Sequence, residues 1–385
     1  MERQRRPGAA PGEFGASAMT AFRVVAALPD PIVLAAHPSY RRNPYEALLY
    51  GEAWSEGIAP VAMPRWSQLP ELVDLQRAAI PTVLHLHWLT AVLKDSASVT
   101  EAEERCATFL DELDAYRAEG GRVAWTVHNV LPHESAFEAV EAMLCGAVAA
   151  RADVIHIMSA ATPAHVEGRY ELPADRLLHV PHPSYIGVYP DHLSRSAARN
   201  ELGIMPDELV VAAVGDIRPY KGLDDLLDAW ALVPADRPRR LIIAGSPLDA
   251  PGVPAILERA ALDPRVVLDA RFVPTEEVQV HLRAADVAVL PYRRALNSGA
   301  LMLALTFGLP VIAPDGTGMT EILDPSFAWT YAAGDRAALA DALTRAADLA
   351  TPAAAAAALA KARAHDPSTL STSFAQGLRA RLVRA

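Results

Sequence analysis

Short apolar runs alternate with longer stretches in which apolar residues recur at helical spacing, along nearly the whole chain. In the first half, the runs 22–28, 83–88, 122–127 and 154–158 read as strands, short blocks rich in β-branched or aromatic residues. Between them, 44–56 has helical spacing behind an Asn43 cap, with Pro44 at the first helical position and a stop at Gly57. Thr100 caps an amphipathic helix over 101–119 that closes at Gly120-Gly121, and further helices cover 136–152 and 160–170, the latter opened by Ser159. The second half repeats the scheme, with strands at 209–214, 240–244, 266–268, 287–291 and 310–313 and helices at 194–202, 223–232, 254–261, 275–284 and 299–307. From Arg336 onward the pattern is almost wholly helical, and the alanine run 353–358 reads as a tight helix–helix contact.

Strands separated by single helices are βαβ crossovers, so each half predicts an α/β domain with a parallel sheet and ligands at the carboxyl ends of the strands. Pro181, Pro183 and Pro190 interrupt any helix, and His182-Pro183-Ser184-Tyr185 reads as a connector between the two. The expected division is a disordered tail over 1–20, a first domain over 21–184, a second over 185–365, and a C-terminal helix over 366–385 free to pack back on the first. Two such domains predict a ligand cleft between them.

Composition narrows the function classes. Just over half of the 385 residues are hydrophobic (51%) and 21% are charged, which supports large packed cores and excludes global disorder. A formal charge of −11 argues against a general nucleic-acid binder. The two cysteines, Cys106 and Cys145, form neither a CxxC pair nor a Cys/His cluster and read as reduced structural thiols of a cytoplasmic protein. Twelve histidines include no HExxH or comparable metal spacing, so no metal is expected. No run approaches the roughly 20 apolar residues of a membrane-spanning helix. The start, rich in Arg, Pro, Gly and Ala, reads as a tail rather than a signal peptide because the apolar run behind it is short and continues as a first strand.

The chemistry gathers at Gly215-Asp216-Ile217-Arg218-Pro219-Tyr220-Lys221-Gly222, between the strand 209–214 and the helix 223–232. A strand, a basic turn and a helix start aim Arg218, Lys221 and free backbone N–H groups at one point, an arrangement that holds phosphate. Asn297-Ser298-Gly299-Ala300 follows the strand 287–291 and opens a second helix, with Ser298 as its cap and Gly299 allowing close backbone approach. Both features fall on the same sheet edge. Neither GxxxxGK nor GxGxxG occurs, so an ATPase or dinucleotide mode of phosphate binding is not expected.

Together with Asp286-Val-Ala-Val-Leu-Pro-Tyr292, the run from Ser298-Gly-Ala-Leu-Met to Gly308-Leu-Pro-Val-Ile312, and Gly318-Met-Thr-Glu-Ile322, this stretch resembles the nucleotide-sugar-dependent glycosyltransferases of the GT-B fold, specifically the group-1, GT4-like set. The resemblance implies two Rossmann-like parallel α/β domains facing across a cleft, the donor held mainly by the second and the acceptor by the first. It implies a nucleoside-diphosphate sugar as co-substrate and no other cofactor or metal, because cations and helix termini neutralise the leaving diphosphate. The acceptor is then a glycan, a lipid-linked glycan or a small-molecule hydroxyl, and a lipid acceptor leaves a peripheral membrane contact open.

By position, Lys221 and Gly222 match the family's diphosphate-binding turn, with Arg218 standing in for an arginine that usually follows the glycine directly, where this chain has Asp216. Two glutamates found in many members are replaced here by Ala295 and Leu303. Asn297, Ser298, Gly299 and Ala300 match the place of the donor's phosphates and sugar; Arg271-Phe272 either matches that of the nucleobase or is an aromatic core residue beside a surface arginine. Glu321 is either an acidic contact to donor hydroxyls or a first-turn helix residue. In the first domain, His128, His133 and Glu134 follow the strand 122–127; any of them could serve as the base of an inverting transfer, His128 could instead contact the donor sugar, and His133 and Glu134 could simply stabilise their loop. His37, Tyr40, Asn43 and Tyr45 are the expected acceptor contacts. His85 and His87 read as strand residues with satisfied ring nitrogens; Trp54, Trp66 and Trp88 either face a lipid or sugar acceptor or pack the core, with the core as the default. Two other readings remain: a sugar-nucleotide 2-epimerase of the same architecture, and a non-catalytic nucleotide-sugar-binding protein.

Overall fold

The computed structural model describes residues 13–40, 43–131 and 136–382. The chain divides into two compact units, with the boundaries at Pro181/His182 and Asp366/Pro367, so that the C-terminal helix Pro367–Leu382 belongs with the first.

In the first unit, strands β1 (Ile32–His37), β2 (Ile58–Ala62), β3 (Thr82–Leu86), β4 (Arg122–Thr126), β5 (Val154–Ile157) and β6 (Leu177–His179) form one sheet in the order β2-β1-β3-β4-β5-β6. Every pairing is parallel. The order reverses between β1 and β3, where chain leaves the sheet in opposite directions and leaves a crevice at the carboxyl ends. His87, just beyond β3, donates its backbone N–H to the His37 carbonyl at 2.8 Å, so both histidines stand at that reversal.

Several elements differ from the sequence pattern. The expected strand over 22–28 is instead the end of a helix, Glu13–Val25, which also takes in residues assigned to a disordered tail. Phe14, Ala18 and Val25 lie on one buried stripe while Val24 is 67% exposed, a helical and not an alternating pattern; the paired valines hid a period that begins at Phe14. Strands β1, β2 and β6 lie outside the runs read as strands. β2 and β6 are short edge strands, and β2 carries Pro60, which an edge tolerates. The 44–56 helix is split into Tyr45–Tyr50 and a 3-10 turn, Ala53–Glu56, and the 160–170 helix shrinks to Thr162–Val166. The long helix Val99–Ala118 is capped by Ser98, not Thr100: the Ser98 hydroxyl accepts from the Glu101 N–H at 3.2 Å. The C-terminal helix docks on this unit through Ser371, which accepts from Glu52 N at 2.8 Å and donates to the Leu49 carbonyl at 2.9 Å, and through buried Phe374.

The second unit has its own sheet, β7 (Leu209–Val214), β8 (Arg239–Ala244), β9 (Val266–Asp269), β10 (Val287–Val289), β11 (Val311–Pro314) and β12 (Ala328–Tyr331), ordered β12-β11-β10-β7-β8-β9 and again wholly parallel. Its core packs Trp230, Leu226, Leu241 and Leu343 against the sheet. The reversal of strand order falls between β7 and β10, which puts any ligand crevice at the ends of those two strands. The edge strand β12 is the one strand of this unit absent from the sequence pattern.

Candidate active site

Strand β7 runs into Gly215, held at φ +134, and the chain turns through Asp216 and Arg218 into the 3-10 turn Pro219–Lys221. Gly222, at φ +65, then opens the helix Leu223–Leu232. A Cβ on Gly222 would meet the Pro291 carbonyl oxygen at 2.1 Å, so only glycine lets the turn lie against the end of β10. That contact positions Lys221. Its Nζ lies 3.0 Å from where Gly215 would carry a Cβ and 5.7 Å from the Tyr292 ring centroid. The same Cβ would reach Ala300 at 4.0 Å, so Lys221 and the first turn of the helix Gly299–Thr306 border one spot.

Ser298 caps that helix, its hydroxyl accepting from the Leu301 N–H at 3.1 Å, while its side chain also hydrogen-bonds the buried Tyr292 hydroxyl. Burial holds the Tyr292 phenol protonated by raising it above its ordinary value. With Leu301 N–H satisfied by the cap, the Gly299 and Ala300 N–H groups and the positive end of the helix remain to meet an anion beside the Lys221 ammonium. A cation and aligned N–H donors at a strand-order reversal are an arrangement able to hold an anion. Gly299 is also tightly packed: a Cβ there would stand 2.7 Å from the Tyr185 hydroxyl and 3.8 Å from His182 Nε2. Tyr185 N–H bonds Thr306 Oγ1 at 3.0 Å, so the stretch read as a connector lies along this helix. Tyr185, His182 and Tyr292 are site neighbours that sequence reasoning did not single out. Burial lowers the His182 ring to about 4, so it stays neutral near pH 7.

The other residues expected at the donor spread over the same edge. Arg218 reaches back to Asp216 at 3.4 Å, an exposed pair that leaves the guanidinium near the turn. Glu321 lies exposed in the 3-10 turn Gly318–Glu321, which is pinned to the loop before Ser298: Gly318 N–H donates to the Ala295 carbonyl at 3.0 Å, and a Cβ on Gly318 would stand 1.9 Å from the Leu296 oxygen. Half-buried Asn297 is in that loop. Arg271 and Phe272 follow β9, separated from β7 by β8; Arg271 pairs with Asp269 at 2.8 Å and with Glu277, and Phe272 is 53% exposed.

In the first unit, the structure gathers His37, Tyr40 and Tyr45 with Trp88, His87 and His128 around the β1/β3 reversal. Trp88 stacks on His128 (4.2 Å, 15°), Tyr45 meets His128 edge-on at 5.1 Å, and Tyr40 lies 5.1 Å from Trp88. The Asn43 side chain accepts from the Tyr45 N–H at 3.1 Å and so shapes the loop instead of facing outward alone. His133 and Glu134 lie outside the described residues. Trp54, Trp66 and Trp88 are half-buried, which corrects the default reading of all three as core. Trp66 instead walls a groove of about 430 Å³ with His37, Phe109, Glu101, Glu104 and Glu112. His37 Nδ1 sits 2.8 Å from the Met63 carbonyl, and burial lowers the ring's affinity for a second proton. A carbonyl only accepts, so Nδ1 carries the hydrogen and Nε2 the lone pair. Among the described residues no group of three or more His, Cys, Asp or Glu side chains could hold a metal ion, and no helix is long and apolar enough to cross a membrane.

Two parallel Rossmann-like units, with an anion cradle at the strand-order reversal of the second, define a class: the GT-B glycosyltransferases. Residues 208–348 match the family model for group 1 glycosyl transferases. Over 299 residues the chain is 30% identical to GDP-mannose:glycolipid 4-beta-D-mannosyltransferase of Xanthomonas campestris pv. campestris, covering 76% of this chain and 77% of that one. It is 34% identical over 137 residues to D-inositol 3-phosphate glycosyltransferase of Jonesia denitrificans, 34% of this chain and 32% of the relative. Among solved structures, Anabaena HepE in complex with UDP and glucose aligns at TM-score 0.68 and 16% identity over 91% of this chain and 100% of that chain. Sucrose-phosphate synthase from Thermosynechococcus elongatus aligns at TM-score 0.70 and 16% identity over 92% and 100%. The protein belongs to the group 1 glycosyltransferases and moves a sugar from a nucleoside-diphosphate sugar to a hydroxyl of a glycan, glycolipid or small-molecule acceptor.

Proposed function

We propose that this enzyme transfers a hexose, with GDP-mannose the first donor to test, to a hydroxyl of a lipid-linked saccharide. The observation that carries the donor side is the convergence of Lys221 with the first turn of Gly299–Thr306 at the β7/β10 reversal. As the glycosidic C–O bond breaks, its electron pair leaves on the diphosphate, and Lys221, Arg218 and the Gly299 and Ala300 N–H groups meet the growing charge. Those protein charges do the work of a metal ion, so transfer is proposed to be metal-independent. Arg271 and Phe272 are assigned to the base and Glu321 and Asn297 to donor hydroxyls. The mannose donor and glycolipid acceptor are supported by the Xanthomonas relative, which is similar over most of both chains.

On the acceptor side, His128 is assigned as the group that takes the acceptor hydroxyl's proton while its oxygen bonds the anomeric carbon, with His133 and Glu134 as the neighbouring alternatives. A groove of the same unit suits a sugar: Trp66 and Phe109 pack on each other, ring centroids 4.4 Å apart, as one apolar wall, His37 Nε2 accepts a hydroxyl hydrogen, and Glu104 and Glu112 accept others. Tyr40, Asn43 and Tyr45 form its neighbouring loop. A lipid-linked acceptor calls for a cytoplasmic enzyme in peripheral contact with a membrane.

Thermal-shift measurements with UDP, GDP, ADP and dTDP, each with Mg²⁺ and with EDTA, test the donor side. Stabilisation by at least one nucleoside diphosphate, GDP foremost and equal in both buffers, is expected; no response to any would overturn the reading. A transfer assay from GDP-mannose to lipid-linked oligosaccharide tests the rest, and donor turnover that needs no acceptor would contradict it.

A further inference from the structure

Six side chains of the first unit form one hydrogen-bonded line from the core to the crevice. His156 Nε2 lies 2.9 Å from the Val180 carbonyl; His156 Nδ1 is 3.1 Å from Thr126 Oγ1; and Thr126 Oγ1 is 2.8 Å from His85 Nε2. His85 Nδ1 is then 2.7 Å from the Tyr50 hydroxyl, which is 2.6 Å from His87 Nε2, and His87 Nδ1 is 2.9 Å from His128 Nε2. All but His128 are buried, and Phe374 covers the line, stacked on His85 at 5.4 Å and 5.1 Å from His156.

A carbonyl oxygen can only accept, so His156 Nε2 must carry a hydrogen, and in a neutral ring Nδ1 is then the acceptor. Thr126 therefore donates to His156 and accepts from His85 Nε2–H. By the same logic Tyr50 donates to His85 Nδ1 and accepts from His87 Nε2–H, and His87 Nδ1 accepts from His128 Nε2–H. One backbone carbonyl thus fixes every tautomer in the line, including the last.

We propose that Tyr50, Thr126, His85, His87 and His156 are positioning residues that present His128 with Nε2 protonated toward the core and its lone pair on Nδ1. That His128 meets the substrate rests on the functional reading above; the tautomer assignment does not. Geometry alone would also allow the opposite polarity, with each proton advanced one link and a cation at His156. That state puts a charge on a ring that is 1% exposed, which is costly. Burial also holds His85 far below its ordinary value and His87 down to about 3, and neither has a carboxylate partner among the described residues. A proton taken up at His128 therefore stays at His128. The line acts as a clamp on tautomer and ring orientation, not as a conduit that drains protons into the core.

The test is two-bond ¹H–¹⁵N correlation NMR of histidine-labelled protein at about pH 7.5, with rings assigned by single His→Asn substitutions. His156, His85, His87 and His128 should all be Nε2–H tautomers; an Nδ1–H signal for any of them in the wild type overturns the proposal. Tyr50→Phe keeps the ring and removes the bridge, and should give His128 a tautomer mixture with kcat lowered by roughly ten-fold or more, within the 10²–10⁴ that such a base contributes. Should that variant fail to fold, Thr126→Val removes the link one histidine further in, and Thr126→Ser restores it. The clamp predicts that Val mixes the His128 tautomer and lowers kcat with donor KM little changed, while Ser rescues both. Unaltered His128 ¹⁵N shifts in a folded Thr126→Val protein would refute the line. If the shifts move as predicted and kcat does not, the clamp stands and the assignment of His128 to the reaction falls.

Discussion

The Pro291 carbonyl oxygen occupies the space a Cβ on Gly222 would need, 2.1 Å from it, and Gly222 itself is held at φ +65. Gly222→Ala must therefore push the turn away from β10 and strain the backbone, at a cost of about 1–3 kcal/mol. At about 2–4 °C per kcal/mol, thermal denaturation should fall by several degrees, and nucleoside diphosphate affinity should drop because Lys221 shifts with the turn. A variant with wild-type melting and binding would mean that the close approach positions nothing.

Ser298 serves both the helix cap and Tyr292. Ser298→Ala should cost about 1 kcal/mol of stability, as cap losses do. Titration calorimetry should also show a weaker nucleoside diphosphate complex, because the first turn loses the hydrogen bond that sets its orientation. Ser298→Thr should restore most of both.

His37→Gln keeps a polar side chain but changes the acceptor atom that faces the Trp66 groove. Acceptor KM should rise by roughly ten-fold, the size of about 1.4 kcal/mol from one hydrogen bond, while donor KM stays within two-fold. Steady-state kinetics with each substrate varied in turn separates the two; an equal rise in both would remove the groove from acceptor binding.

The buried histidines predict acid sensitivity. Burial lowers His85 and His87 below the ordinary 6.5, so between 6.5 and their native values the unfolded chain binds protons that the folded one does not, and stability is lost as pH falls. Each fully developed ring contributes a slope of about 1.4 kcal/mol per pH unit. Glu46, raised by burial, acts in the opposite sense, while His37, also lowered by burial, adds to the loss. Urea denaturation at about pH 7.5, 6 and 5 should show a steady loss in the first unit; a flat profile would mean that the rings are charged in the folded state.

What was legible in the sequence was what is local. The turn at Lys221 and the cap at Ser298 are each specified by a few consecutive residues between strong periodic segments, so their places on the sheet edge followed from the strand–helix alternation. The helix Glu13–Val25 was missed because its stripe starts at Phe14, inside a stretch whose Arg, Pro and Gly content masked it. Edge strands β2, β6 and β12 are too short to carry a period. The line from His156 to His128 was not legible, because Tyr50, His85, Thr126 and His156 become neighbours only once β3, β4 and β5 lie side by side and the Tyr45–Tyr50 helix packs over them. The Tyr185 contact with Gly299 likewise joins residues far apart in sequence.

The central claim is that the β7/β10 reversal carries the leaving diphosphate, and Lys221→Ala tests it most directly. With melting temperature and circular dichroism unchanged, kcat for transfer from the nucleoside-diphosphate sugar should fall by roughly 10²–10³-fold, the size of one lost charge-stabilising donor. Near-normal kcat in that folded variant would contradict the account.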